Sequence, residues 1–206
     1  MIRVTYYGHS CFTLEAENYI IALDPYDDHV PGYAPLKVKA NAVLCSHEHG
    51  DHAYRDAVEI IPGEKDPFKI TEIHSFHDPE GGKLRGTNII RIFECGGIKV
   101  AHFGDIGVRP TDEQVEMLKG LDAALVPVGG TYTLDAKEEK ALMDEIKPRL
   151  IIPMHYRRGS YGFGNIATIK EFTDLYDSAV YSDDCSVDIT NEGPEGVLVL
   201  KHIGQK

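Results

Sequence analysis

The chain divides by its hydrophobic pattern into a strand-like first half and a second half in which strand and helix signals alternate. Residues 2–6, 11–14 and 19–23 are rich in β-branched and aromatic side chains, and Gly8 and Asn18 punctuate them as turns. Residues 42–46 form a short apolar run that predicts a buried strand ending at His47. A helix is expected from Asp51 to about residue 61, closed by Pro62-Gly63. Two strands, 89–95 and 98–103, flank Gly96-Gly97, a two-residue hairpin signal. Further on, 111–118 predicts a helix and 123–128 a buried strand. The stretch 135–146 predicts a helix opened by an Asp135/Glu138 capping box and stopped by Pro148. Residues 150–154, 166–176 and 197–200 complete the pattern as strand, helix and strand.

Strands followed by strand–helix alternation imply an α/β (α+β) fold of two packed sheets with helices outside. No linker, low-complexity tract or internal repeat interrupts the sequence, so one domain is expected over residues 1–206. That length buries a large core without staples. Cys11, Cys45, Cys95 and Cys185 lie far apart with no CxxC pair, which argues against disulfides and against a thiolate zinc site. No apolar stretch approaches the roughly 20 residues that span a bilayer, and the first residues read as a strand rather than a secretory signal. A cytoplasmic protein with no membrane partner is therefore expected.

Charge narrows the partner. The net charge of -12, with no basic stripe to offset it, repels phosphate backbones and disfavours nucleic acid. A small-molecule substrate is the expectation, and the sequence leaves the oligomeric state open.

The decisive string is His47-Glu48-His49-Gly50-Asp51-His52, directly after an apolar run. Three imidazoles and two carboxylates within six residues could not all be satisfied in a core. A loop tightened by Gly50 can turn several of them into one concave site, and imidazole with carboxylate suits Zn, and also Mn or Fe. His47 and His49 can point to one metal, while Asp51 and His52 turn to a second. Further ligands should come from other strand ends, where His77, Asp105 and His155 each follow a strand-like run. His74 and His102 compete with His77 for a place in the site. Alternation places His102 opposite Asp105, which reads as a buried, hydrogen-bonded core histidine.

His47-x-His49-x-Asp51-His52 resembles the hallmark motif of the metallo-β-lactamase superfamily, and His77, Asp105 and His155 follow in that superfamily's order. Gly8-His9-Ser10-Cys11-Phe12, Asp24-Pro25, His102-x-Gly104-Asp105 and Pro127-Val128-Gly129-Gly130-Thr131 resemble its small metal-dependent hydrolases, a group related to the ascorbate-phosphate lactonases. The resemblance implies a four-layered αβ/βα sandwich. It gives His47, His49 and His77 to one divalent metal and Asp51, His52 and His155 to another, with Asp105 bridging and Asp24 orienting a ligand histidine. His9 and His29 are expected beside the site or on the surface, and His202 on the surface.

Two such metals, Zn first and Mn or Fe as alternatives, share a water and lower its pKa toward neutrality for attack on a carbonyl or phosphorus. Asp51 and Asp105 are the expected catalytic carboxylates. Arg157 and Arg158, next to His155, are the candidates for holding an anionic substrate, and Tyr156 for an oxyanion. A loop over residues 79–86 is expected to close over the pocket. The leading reading is hydrolysis of a small ester, lactone or phosphorylated metabolite. Phosphodiester cleavage is the runner-up, followed by a di-iron redox protein and a metal-binding scaffold without turnover. The redox branch of the superfamily carries glutamate where this chain has His49, which argues for hydrolysis.

Overall fold

The computed structural model describes residues 1–63 and 65–205. Strands β1 (Ile2–Gly8), β2 (Cys11–Ala16) and β3 (Tyr19–Leu23) form an antiparallel meander. Of the next three, β4 (Val38–Ala40), β5 (Ala42–Leu44) and β6 (Val58–Ile60), only β5 joins them, parallel to β3. β4 and β6 pair as a separate ribbon. Strands β7 (Lys69–Phe76), β8 (Thr87–Cys95) and β9 (Ile98–His102) are antiparallel neighbours. Helix α1 (Asp112–Met117), β10 (Ala123–Pro127), α2 (Ala136–Ile146), β11 (Leu150–Met154) and α3 (Ile169–Thr173) then alternate. β12 (Val180–Tyr181), β13 (Ser186–Ile189) and β14 (Gly196–Val199) close the chain order. The first sheet runs β13-β1-β2-β3-β5 and the second β12-β14-β11-β10-β9-β8-β7.

Local chemistry explains these elements. In β1, Ile2, Val4 and Tyr6 point inward while Arg3 faces solvent, the period-two pattern of a sheet covered on one face. β10 is buried on both faces, as parallel strands under helices are. Its Ala123 and Leu125 meet the first sheet, and Ala124 and Val126 meet the helices. Gly96 and Gly97 join β8 to β9 with φ of 57° and 80°, the positive pair a type I′ hairpin turn requires. Asp135 caps α2 by accepting from Lys137 N and Glu138 N, and the Glu138 carboxylate accepts from Asp135 N. Leu142, Met143 and Ile146 of α2 are buried against the second sheet. Truncating one of them to alanine is worth about 2–5 kcal/mol.

The two sheets face each other across one apolar core, and α1, α2 and α3 cover the far side of the second sheet. The far side of the first sheet is covered differently. Cys11 and Ala22 pack there beneath Tyr26, Val30, Leu36, Val38 and Val58. The helix expected after Asp51 is a single 3-10 turn, Arg55–Ala57, that runs into β6. The stretch after it lays alternate residues along β4, and Ile61 N donates to Ala40 O, so pairing outcompetes the helix. The helix expected at 166–176 shortens to α3, which begins after Thr168, where Glu171 Oε1 accepts the backbone N–H. His202, expected at the surface, is buried edge-on against Tyr33 and Tyr161. Among the described residues no helix is long and apolar enough to cross a membrane.

Candidate metal centre

Six strands deliver polar residues to one rim. β1, β3 and β5 run parallel within the first sheet, and β7, β9 and β11 within the second. Just beyond their C-terminal ends come His9, Asp24, His47, His77, Asp105 and His155. The carboxyl ends of such strands are the usual place for a site. The backbone is bent to achieve this: Asp24, His9 and His155 have φ of 45°, 51° and 52°. Non-glycine residues there store about 1–3 kcal/mol each, strain that clusters at functional sites. His155 N donates to His9 O at 2.9 Å, tying the rims of the two sheets together.

Of three overlapping donor groups, one, Asp24 with His47 and His52, backs the other two. His47, His49 and His77 bring ligand atoms within 4.8 Å of one another, and so do His9, Asp51, His52 and His155. Asp105 lies between them, its Oδ2 3.2 Å from His52 Nε2, 3.3 Å from His77 Nε2 and 3.1 Å from His155 Nε2. The outer nitrogens are held from behind. His52 Nδ1 donates to Asp24 Oδ2 at 2.7 Å, and His77 Nδ1 donates to the Tyr132 carbonyl at 3.0 Å. His47 Nδ1 donates to Ser46 Oγ at 2.9 Å, and that hydroxyl donates to Asp24 Oδ2 at 2.5 Å. Asp51 Oδ2 accepts from His9 Nε2 at 3.1 Å, and the His9 and His155 rings are tilted against each other with centroids 4.3 Å apart.

The inner atoms test whether these residues suit a metal. His47 Nε2, His52 Nε2, His155 Nε2 and Asp105 Oδ1 are buried without a hydrogen-bond partner among the described residues. Buried polar atoms are rarely left so, and unpaired imidazole nitrogens beside buried carboxylates make a donor set for Zn, Mn or Fe. Burial, and after it His52, pushes His47 down to about 3, so its imidazole is neutral with a free lone pair. The Asp105 carboxyl is held well below the usual carboxylate range by His155 and His52 against the effect of burial. Burial works against a charge on His52, yet Asp105 and Asp24 raise it well above the ordinary value. Without a metal, a proton on His52 balances these carboxylates, and a divalent cation replaces it. The residues fit.

A cavity of about 430 Å³ opens over the cluster, lined by His49, Asp51, His77, Asp105 and His155 together with Asp27, His29, Arg85, Tyr132 and Phe163. The structure thus gathers His47, His49, Asp51, His52, His77, Asp105 and His155 at one place. Neither competitor of His77 joins them. His74 is exposed on β7, and its backbone carbonyl accepts from Gln114. His102 donates from Nε2 to Ser10 O at 3.0 Å inside the core, where alternation puts it.

The arginines next to His155 are not at the cavity. Arg158 lies over the Tyr181 ring at 5.3 Å, and Arg157 is bridged through its backbone to Thr168. Tyr156 is buried, its phenol near Tyr6 and Tyr33, so it does not reach an oxyanion in the cavity. The chain turns at His155 with positive φ, which sends its successors away from the rim. The loop over 79–86 does border the cavity through Arg85, but it is tied down rather than free. Asp78 Oδ1 accepts from Glu80 N and Gly82 N, and Oδ2 from Leu84 N and Arg85 N. Sequence reading put the loops carrying Arg85 and Phe163 near the pocket without singling out either residue, and it missed Tyr132. The contact of His9 with Asp51 had a signal, the Gly8-His9-Ser10 string, but nothing in it names the partner.

Known proteins resemble this chain in sequence and in fold. Residues 3–155 match a family model described as a beta-lactamase superfamily domain. A metal-dependent hydrolase from Thermococcus onnurineus is 30% identical over 192 residues, covering 76% of this chain and 85% of its own. A crystal structure from Thermotoga maritima, whose proposed assignment is a Zn-dependent hydrolase of the metallo-β-lactamase superfamily, is 33% identical with a TM-score of 0.77. The alignment covers 97% of this chain and 98% of that one. A metallo hydrolase from Ignicoccus hospitalis, 22% identical over 84% of this chain and 89% of its own, shares the fold at a TM-score of 0.63.

Proposed function

The chain belongs to the metallo-β-lactamase superfamily, as a metal-dependent hydrolase, and we propose that it uses two divalent ions to cleave a small ester, lactone or phosphorylated metabolite. The observation that carries this reading is the gathering of the His47, His52 and His155 Nε2 atoms, none in a well-formed hydrogen bond among the described residues, around the buried Asp105 carboxylate.

His47, His49 and His77 would hold one ion and Asp51, His52 and His155 the other, and Asp105 reaches both sets. Zn is the first choice for these donors, and Mn or Fe also fits. Bound there, the ions supply a water that ionises near neutral pH and positive charge for the oxygen of the group under attack. The chain's own residues do the rest. Asp51, ionised and anchored by His9, faces the cavity and orients the attacking water. Asp105, kept ionised by His155 and His52 against the effect of burial, holds negative charge between the two sets. Tyr132 and Phe163 wall the cavity with apolar surface and exclude water from its side.

Elemental analysis of the purified chain and of a His49→Ala variant tests the reading. Two equivalents of Zn or Mn, falling to one or none in the variant, support it. Little metal in the native chain even after reconstitution overturns it.

A further inference from the structure

Several arginines are committed to carboxylates, in a chain with 33 acidic and 21 basic residues. Arg55 donates to both oxygens of Glu48, Arg91 to Glu72, and Arg109 to Asp112 and Glu145. Arg85 differs. Among the described residues no carboxylate lies within 4.0 Å of its guanidinium, and its side chain donates no hydrogen bond.

Two supports fix it nonetheless. Its guanidinium lies over the Tyr132 ring, 5.6 Å from the centroid. Its backbone N–H donates to Asp78 Oδ2 at 2.7 Å, on the loop that the buried Asp78 cinches at four amides. Tyr132 is fixed in turn: its carbonyl accepts from His77 Nδ1, and its hydroxyl accepts from Asn165 Nδ2 at 2.7 Å. Arg85 therefore sits on a platform whose other end orients a metal-site histidine. It borders both the cavity over the histidine cluster and a second cavity of about 610 Å³ beyond Tyr132. A guanidinium stacked on a ring keeps its fork of N–H donors free in its own plane.

We propose that Arg85 is the anchor for an anionic group of the substrate, a carboxylate or phosphate oxyanion set apart from the bond that is cleaved. The proposal rests on the hydrolase reading above and narrows it to anionic substrates. An unpaired, pre-positioned guanidinium gains two charge-assisted hydrogen bonds on meeting such a group, with little ordering left to do. In an otherwise acidic chain it also supplies the local positive potential that lets an anion approach.

The test uses the metal-loaded full chain and two esters with one leaving group, neutral para-nitrophenyl butyrate and anionic para-nitrophenyl hemisuccinate. The readout is the ratio of their kcat/KM values, at equal metal content in every variant. Arg85→Met is expected to lower the anionic-to-neutral ratio about tenfold to a hundredfold, and Arg85→Lys to restore part of it. An unchanged ratio, including an equal fall for both esters, overturns the anchor. If the native enzyme turns over neither ester, the hydrolase reading fails for esters, and binding decides the anchor separately. Inorganic phosphate should then raise the thermal unfolding midpoint of the metal-free native chain at mildly alkaline pH more than that of Arg85→Met. Equal shifts in the two proteins overturn it.

Discussion

His52 Nδ1 and Asp24 Oδ2 stand 2.7 Å apart in a place where neither side chain is more than 1% exposed. The bond keeps a proton on Nδ1 and turns Nε2 toward Asp105, so Nε2 is the nitrogen that would give up its own proton to a metal. The same carboxylate holds the Ser46 hydroxyl, which in turn accepts from His47 Nδ1. One aspartate thus aims two imidazoles. Asp24→Asn is expected to weaken metal binding about tenfold to a hundredfold. Competition with a chromogenic chelator measures it, and an unchanged affinity would contradict the arrangement.

His9 orients Asp51 and lies against His155, but it has no contact with the His47, His49 and His77 set. His9→Ala should therefore lose one equivalent of metal and keep the other. Elemental analysis distinguishes this from the loss of both, which would mean that His9 supports the whole rim.

In the metal-free chain, stability should peak near pH ~6.5, the ordinary histidine value. Burial, reinforced by His155, pushes His9 down to about 4, and burial with His52 pushes His47 to about 3. Between those values and ~6.5 the unfolded chain binds protons that the folded chain refuses, so stability falls as the pH drops. His52 works the other way. Asp105 and Asp24, against the effect of burial, raise it well above ordinary, so its contribution is whole below ~6.5 and declines as the pH climbs. Zn, which takes the place of the His52 proton, should move the optimum upward. Thermal unfolding across pH, with and without chelator, checks both statements.

Glu139 on α2 is fully buried, and neither of its oxygens has a partner among the described residues. Burial, with Glu138 adding to it, lifts its pKa well above the usual value. The folded chain keeps the proton that the unfolded chain releases above ~4.3, so this group subtracts stability as the pH rises past that point. Glu139→Gln should raise the unfolding midpoint at neutral pH, by about 2–4 °C per kcal/mol gained. The gain should vanish near pH ~4, and a variant less stable at neutral pH would show that the carboxyl is needed.

Gly104 has φ of 57°, and a Cβ there would stand 2.3 Å from Asn88 Oδ1 and 2.4 Å from Ser46 Cβ. Gly104→Ala must shift either the strand carrying Asn88 or the turn before His47, at about 1–3 kcal/mol. Because Asp105 follows directly, metal occupancy should fall along with the unfolding midpoint.

The strand ends and the donors on them were legible because polar metal-site residues interrupt apolar runs abruptly, as His47 and His155 do. His102 could be placed in the core because period-two alternation is rigid. What eluded the sequence depends on pairing at a distance. The stretch after Asp51 has helix-compatible residues, yet β4 claims its backbone. Arg157 and Arg158 adjoin His155 in sequence, but one left-handed residue separates them from the cavity, whereas Arg85 arrives from a loop 70 positions away from His155. Proximity along the chain is a poor guide wherever the backbone turns sharply.

The four amides gathered on Asp78 have a consequence for turnover. Cinched in this way, the loop edges a standing opening, and the cavity meets solvent without any rearrangement of that loop. Residues 83 and 85 on that doorway can then be exchanged without disturbing the hinge points, because Asp78 grips backbone rather than side chains. Substrate preference in such a protein can drift while its hydrolytic machinery stays fixed.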